Sequence, residues 1–225
     1  MKVKDKIWQT GGIKNEKGRM INEDGVINFK VKTYQYTILM DGASGLGKNN
    51  QISKNYTSAE WYVKFMLQKL QALFLESPKK SIPETVKEAI EEATKEINKF
   101  QNKNNIILEE YEKPSASLII LREDGVTTEI YSLGDAEVII GYKEGKIQQV
   151  ENPNQKAVQT NDSKVLDRMK EIAEQKGCNL IETKKEEEIK RQLQANRTKK
   201  NSNQEGGYWV CGTNIEATKH GVTIQ

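Results

Sequence analysis

Residues 26–41 run VINFKVKTYQYTILMD, two β-prone stretches of which the second closes on the apolar Thr37, Ile38, Leu39 and Met40. This pattern predicts a β-hairpin whose second strand is largely buried and ends on an acid, Asp41. Downstream, Thr57 and Glu60 are spaced as a capping box, and Trp61, Phe65, Leu67, Leu70 and Phe74 recur at roughly helical intervals, predicting a helix over 58–75. Ser81 with Glu84 repeats the box and Pro83 suits a first turn. Val86, Ala89, Ile90, Ala93, Ile97 and Phe100 then form one apolar stripe of a second helix. From Ser115 the texture changes to short β-prone runs, SASLIIL (115–121), TTEIYSL (127–133) and GDAEVIIGY (134–142), separated by turn-forming residues. These predict an antiparallel meander. Beyond Pro153 the chain becomes polar, with helices expected at 162–176 and 184–196 and a weak strand at Tyr208 to Cys211. Strands, then helices, then strands argue for an α+β protein with helices packed on an antiparallel sheet system, not for a βαβ nucleotide-binding fold.

Composition narrows the function. At 225 residues the chain fits a single domain, 1–225. Lys+Arg at 35 nearly balance Asp+Glu at 32, and the lysines alternate with glutamates along the expected helices, the pattern of a solvated face. A nucleic-acid partner is therefore not expected. Cys178 and Cys211 are too few to staple a fold of this size, which suits a reducing cytoplasm. Neither a signal peptide nor a membrane span is expected, since no apolar run approaches eighteen residues. The loop GASGLGKNN (42–50), with Lys48, lacks the spacing of a phosphate-cradling loop.

The residues that carry chemistry flank the hairpin. Arg19, Glu23 and Asp24 lie in GRMINEDG (18–25) just before its first strand, and Asp41 with Gly42 ends its second in ILMDGASG (38–45). Two acidic clusters thus meet at one end of a hairpin. Hard cations such as Mg²⁺ and Mn²⁺ take carboxylate, carbonyl and water oxygens. Gly42 lets backbone approach an ion closely, and Arg19 could grip a phosphate with both arms of its guanidinium. The plainer reading is that Asp24-Gly25 and Asp41-Gly42 are turn residues, as Asp124-Gly125 is expected to be.

GRMINEDG followed by ILMDGASG resembles the opening motifs of the metal-dependent protein serine/threonine phosphatases of type 2C. SASLIIL followed by YSLGDAEVIIGY (131–142) is similar to that family's small-residue strand and Gly-Asp-Ser hairpin, with Ala136 in place of the usual Ser and Asp135 on the Asp that can hold an additional metal. The resemblance covers roughly residues 10–145. It implies an antiparallel β-sandwich flanked by helices, missing the last strands, with two Mn²⁺ or Mg²⁺ ions at one end. Asp41 would bridge both ions, with Glu23, the Gly42 carbonyl, Asp24 and Asp135 as further metal ligands and Arg19 on the phosphoryl oxygens. The activity implied is hydrolysis of phosphoserine and phosphothreonine on a phosphorylated protein substrate. Two late aspartates of the family have no counterpart: after Asp135 only Asp162 and Asp167 follow, both on an expected helix. A C-terminally shortened domain, and as an alternative a catalytically inactive binding or regulatory module, follow from that departure. Ala43 stands where some members carry a His, so no general acid is expected there. His220 is expected at the surface, Trp61 and Phe65 packing helix on sheet, and Tyr208 with Trp209 filling core under the last helix.

Overall fold

The computed structural model describes residues 12–14, 18–47, 51–150 and 152–225. The N-terminal stretch and Lys48 of the glycine-rich loop lie outside the described residues. Two short strands, β1 (Ile13–Lys14) and β2 (Met20–Ile21), pair with each other ahead of the expected hairpin. That hairpin is β3 (Asp24–Val31) and β4 (Tyr34–Ala43), and Lys32 at its turn takes φ 54°, the left-handed conformation a tight turn demands. Two helices follow, α1 (Ser58–Glu76) and α2 (Ile82–Asn104), then β5 (Ser115–Glu123), β6 (Thr128–Leu133) and the small hairpin β7 (Ile139–Gly141) and β8 (Ile147–Gln149). The chain ends with α3 (Pro153–Lys176), α4 (Glu187–Thr198) and β9 (Val222–Ile224).

Strands β3, β4, β5, β6 and β9 form one antiparallel sheet in that order. Alternation along β4 sends Tyr36, Ile38 and Met40 to one face, where they meet Leu118 and Ile120 of β5 and Tyr131 and Leu133 of β6. Helices α1 and α2 close that face with Tyr62, Met66, Leu70, Phe74, Val86, Ala89 and Ile90, all buried. Trp61 and Phe65 stack at 5.6 Å between ring centroids and pack against this core as expected. The capping box at Thr57 is complete, Thr57 Oγ1 accepting the Glu60 N–H at 3.1 Å while Glu60 accepts the Thr57 N–H at 2.9 Å; at Ser81 half of the expected box forms, Ser81 Oγ accepting the Glu84 N–H at 3.3 Å while the Glu84 carboxylate takes the Ser81 hydroxyl.

The C-terminal third departs further from expectation. α3 begins at Pro153, nine residues before the expected start at 162, because Asn152 caps the N–H of Asn154 at 3.0 Å and Pro153 occupies the first helical turn. No strand forms at Tyr208 to Cys211. That segment makes single bridges, Lys200 to Tyr208 and Ala116 to Cys211, and it is pinned as a docked tail. Tyr62 donates to the Gly212 carbonyl at 2.7 Å and Tyr131 to the Thr218 carbonyl at 3.1 Å. Trp209 packs on the core and stacks on exposed His220 at 3.8 Å, whereas Tyr208 lines a cavity of mixed polar and apolar walls. The last residues, Val222–Ile224, add the fifth strand beside β6.

Candidate metal centre

Backbone register alone brings the acids together. In the hairpin Asp24 pairs directly with Asp41, and on the other side of β4 Asp41 pairs with Ser117 of β5. Directly opposed residues of an antiparallel pair hold their Cβ atoms about 4.5–5.5 Å apart, so the Asp24 and Asp41 carboxylates are neighbours. Asp135 arrives through a forced turn. Gly134 takes φ 106°, and a Cβ there would meet Ser117 Oγ at 2.4 Å, so only glycine lets the chain fold back onto β5. Ser117 Oγ then donates to Asp135 Oδ1 and accepts the Asp135 N–H at 3.1 Å. Ser117, which sequence reading saw only as a small strand residue, is the joint between Asp41 and Asp135.

Charge crowding is felt at Asp41. Desolvation, then the charge of Asp24 and a hydrogen bond with it, then Asp135 and Glu23, push its carboxyl from the ordinary 3.8 up to about 6. Burial first and the neighbouring carboxylates second produce this shift, and a bound divalent ion would reverse it.

Glu23 and Arg19 stand one layer outward, each with partners from the protein. Glu23 Oε1 accepts hydrogen bonds from Ser44 at 2.5 Å and Thr57 at 2.6 Å, which ties it to the N-terminus of α1. Arg19 reaches the buried Glu60 with both arms, at 2.8 Å and 3.4 Å. Burial raises the Glu60 pKa, but hydrogen bonds from the Thr57 N–H, Arg19 and the Asn22 N–H outweigh it and hold the group below the usual carboxylate range. Gly42 has a packing reason of its own: its N–H donates to the Glu23 carbonyl at 3.0 Å, and a Cβ there would meet that oxygen at 2.5 Å and Val63 at 2.8 Å. The loop after it is held by protein contacts, since the Leu46 N–H donates to the Tyr111 carbonyl at 2.7 Å and a Cβ at Gly45 would overlap Glu112.

Among the described residues, no three His, Cys, Asp or Glu side chains form a ready enclosure for one ion. The donors present are all oxygen, and their mutual repulsion at Asp41 marks a place that gains from a cation. That chemistry fits Mg²⁺ or Mn²⁺, which commonly keep several waters and take only one or two protein carboxylates each. Beside this edge a cavity of about 240 Å³ runs from Asp41, Ser117 and Asp135 toward α3, α4 and Tyr208. Asp162 and Arg197 both line it, and the sequence marks neither as a site residue, because on a polar helix such a residue has the same signature as a solvated one. Burial first, then Asp135, raise the Asp162 pKa, and Arg197 opposes them.

No family model and no curated protein matches the sequence. Solved structures do match. They include a substituted form of a bacterial serine phosphatase, 17% identical over 64% of this chain and 60% of that one, with a TM-score of 0.44. The serine/threonine phosphatase Stp1 from Staphylococcus aureus is 16% identical over 64% of this chain and 52% of its own, TM-score 0.42. The catalytic domain of the serine/threonine phosphatase PstP, described in complex with two manganese ions, is 16% identical over 68% of this chain and 59% of its own, TM-score 0.44. These three similar structures are described as serine or serine/threonine phosphatases. The chain spans 52% to 60% of the length of these three. Among the described residues no helix is long and apolar enough to cross a membrane.

Proposed function

We propose that the chain hydrolyses phosphoserine and phosphothreonine esters on proteins with Mn²⁺ or Mg²⁺ held at Asp41, with Asp24, Glu23, Asp135 and the Gly42 carbonyl as the other donors. The observation that carries this reading is the placement of Asp24, Asp41 and Asp135 around Ser117 at one end of the sheet. When bound, such a cation supplies Lewis-acid activation of water and neutralises developing charge on phosphate. The chain's own part is to hold the carboxylates in place. Asp24 and Asp41 are set by strand register and Asp135 by its two bonds with Ser117, so little rearrangement is needed when a cation arrives. Arg19 reaches phosphoryl oxygens only by releasing Glu60, so its first role is to fix the start of α1 against the segment between β2 and β3 that carries Glu23. The substrate is a phosphorylated protein, and the two free cysteines suit the reducing cytoplasm where a kinase would supply it.

The test is turnover of a phosphothreonine peptide by the intact chain with and without Mn²⁺. Cation-dependent release of phosphate that vanishes in Asp41→Ala is expected; a folded, Mn²⁺-binding protein without turnover removes the hydrolytic reading. A second reading, a non-catalytic module that binds phosphorylated protein, is favoured by the hydroxyl contacts that already occupy Glu23. Saturable phosphopeptide binding without phosphate release distinguishes it.

A further inference from the structure

On the far wall of the cavity, Arg197 presents a guanidinium that pairs with none of the described residues, and we infer that it grips the phosphoryl group of the substrate. This rests on the hydrolytic reading above and names the residue that would recognise phosphate there. Three observations converge on it.

The first is that the basic residue next to the acidic motif is engaged, because Arg19 holds Glu60 with both arms. Phosphate approaching Asp24, Asp41 and Asp135 meets like charge, and a cationic side chain on the opposite wall favours its entry.

The second is the status of Arg197 itself. It lines the cavity and is half-buried near the end of α4, yet among the described residues its guanidinium makes no hydrogen bond or ion pair. Arg122 and Arg168 by contrast are committed, Arg122 to Glu129 and the Lys80 carbonyl and Arg168 to Glu171 and Glu188, while Arg191 is exposed and lies outside the cavity lining. Asp162, on the same cavity wall, attracts Arg197 without pairing with it. A cation in the last turn of a helix also favours the macrodipole, but a lysine directed to solvent would do that equally well. The position is held firmly. Asn196 Nδ2 on α4 donates to the Asn161 carbonyl on α3 at 3.5 Å, and Asn161 Nδ2 holds the Gly206 carbonyl of the segment after α4 at 2.8 Å.

The third is size. At about 240 Å³ the cavity is below the roughly 300–1,000 Å³ that drug-sized ligands fill. It suits one phosphorylated side chain entering between Arg197 and the acidic edge, while the peptide backbone stays outside. A planar guanidinium matches two phosphate oxygens at once, which an ammonium does not.

The test uses the intact chain with Mn²⁺ and a phosphothreonine peptide, comparing wild type with Arg197→Ala, Arg197→Lys and, as an exposed site on the same helix, Arg191→Ala. Thermal melts confirm folding, and Arg197→Gln replaces the alanine variant if that variant unfolds. A tenfold or greater rise in KM is expected for Arg197→Ala, with a smaller change in kcat. Arg197→Lys should recover only part of the loss, and Arg191→Ala should match wild type. Inorganic phosphate should weaken as a competitive inhibitor by the same factor, while Mn²⁺ affinity stays within twofold. Unchanged KM and phosphate inhibition in Arg197→Ala would overturn the assignment and leave the hydrolytic reading standing. Where wild type shows no turnover, ³¹P line broadening of inorganic phosphate with Mg²⁺ decides: broadening lost in Arg197→Ala upholds the phosphate site while hydrolysis fails, and broadening retained refutes the site.

Discussion

Replacing Asp41 by Asn should stabilise the cation-free protein while abolishing its response to Mn²⁺. The Asp41 carboxyl ionises near pH 6, not at its ordinary 3.8, so its ionised form is disfavoured in the folded state at neutral pH. A rise of about two pH units corresponds to about 3 kcal/mol if taken at face value. Asp41 as a residue is exposed to solvent, which screens its neighbours' charges, and about 1 kcal/mol is the appropriate scale. The sign follows from proton linkage. Because the folded pKa is raised, the penalty is complete above about pH 6 and disappears as pH falls through 3.8, where both states are protonated. In EDTA at pH 7.5, differential scanning calorimetry should therefore show Asp41→Asn melting about 2–4 °C above wild type. The gap should close toward pH 4. With excess Mn²⁺ the order should invert, since wild type gains the linkage stabilisation of a bound ion and the variant does not. An Asn variant that melts below wild type in EDTA at pH 7.5 would refute the claim that uncompensated carboxylates meet at this position.

Glu60→Gln should lower stability by about 2 kcal/mol in urea unfolding, because it leaves Arg19 without its charged partner beside a buried helix start. Gly42→Ala should cost about 1–3 kcal/mol and weaken Mn²⁺ binding in calorimetric titration, since the added methyl meets the Glu23 carbonyl and Val63 and pushes the two acidic segments apart. Lys200 is buried, and its ammonium has a pKa lowered to about 7 by burial, with Glu110 opposing and Arg197 and Lys113 assisting. A base with a depressed folded pKa penalises the folded state fully below about pH 7 and less as pH rises toward 10.5. Melting temperatures should accordingly show Lys200→Met gaining most over wild type at pH 6 and least at pH 9.5.

The hairpin, both first helices and the β5–β6 meander were legible because each carries a strong local signal: alternation in β4, a capping box at Thr57, a serine cap at Ser81, one apolar stripe along α2. The convergence of Asp24 with Asp41 was legible for the same reason, since hairpin register follows from the turn. What could not be read depended on distant parts of the chain. The early start of α3 rests on an asparagine cap ahead of a polar, weakly periodic helix. The bend at 208–221 is set by the hydroxyls of Tyr62 and Tyr131, residues far away in sequence. Asp162 and Arg197 gain meaning only once α3 and α4 fold over the sheet edge. Even the partner of Arg19 is hidden in the sequence, because Glu60 carries the complete signature of a helix cap and its second bond forms only once α1 packs beside the acidic motif.

Isothermal titration of Mn²⁺ into the intact 225-residue chain, repeated on Asp41→Asn and Asp135→Asn, tests the central claim most directly. Saturable binding by wild type is predicted, lost in Asp41→Asn and weakened at least tenfold in Asp135→Asn. Binding of equal strength in all three proteins, or none in the folded wild type, would contradict a cation site at the meeting point of Asp24, Asp41 and Asp135.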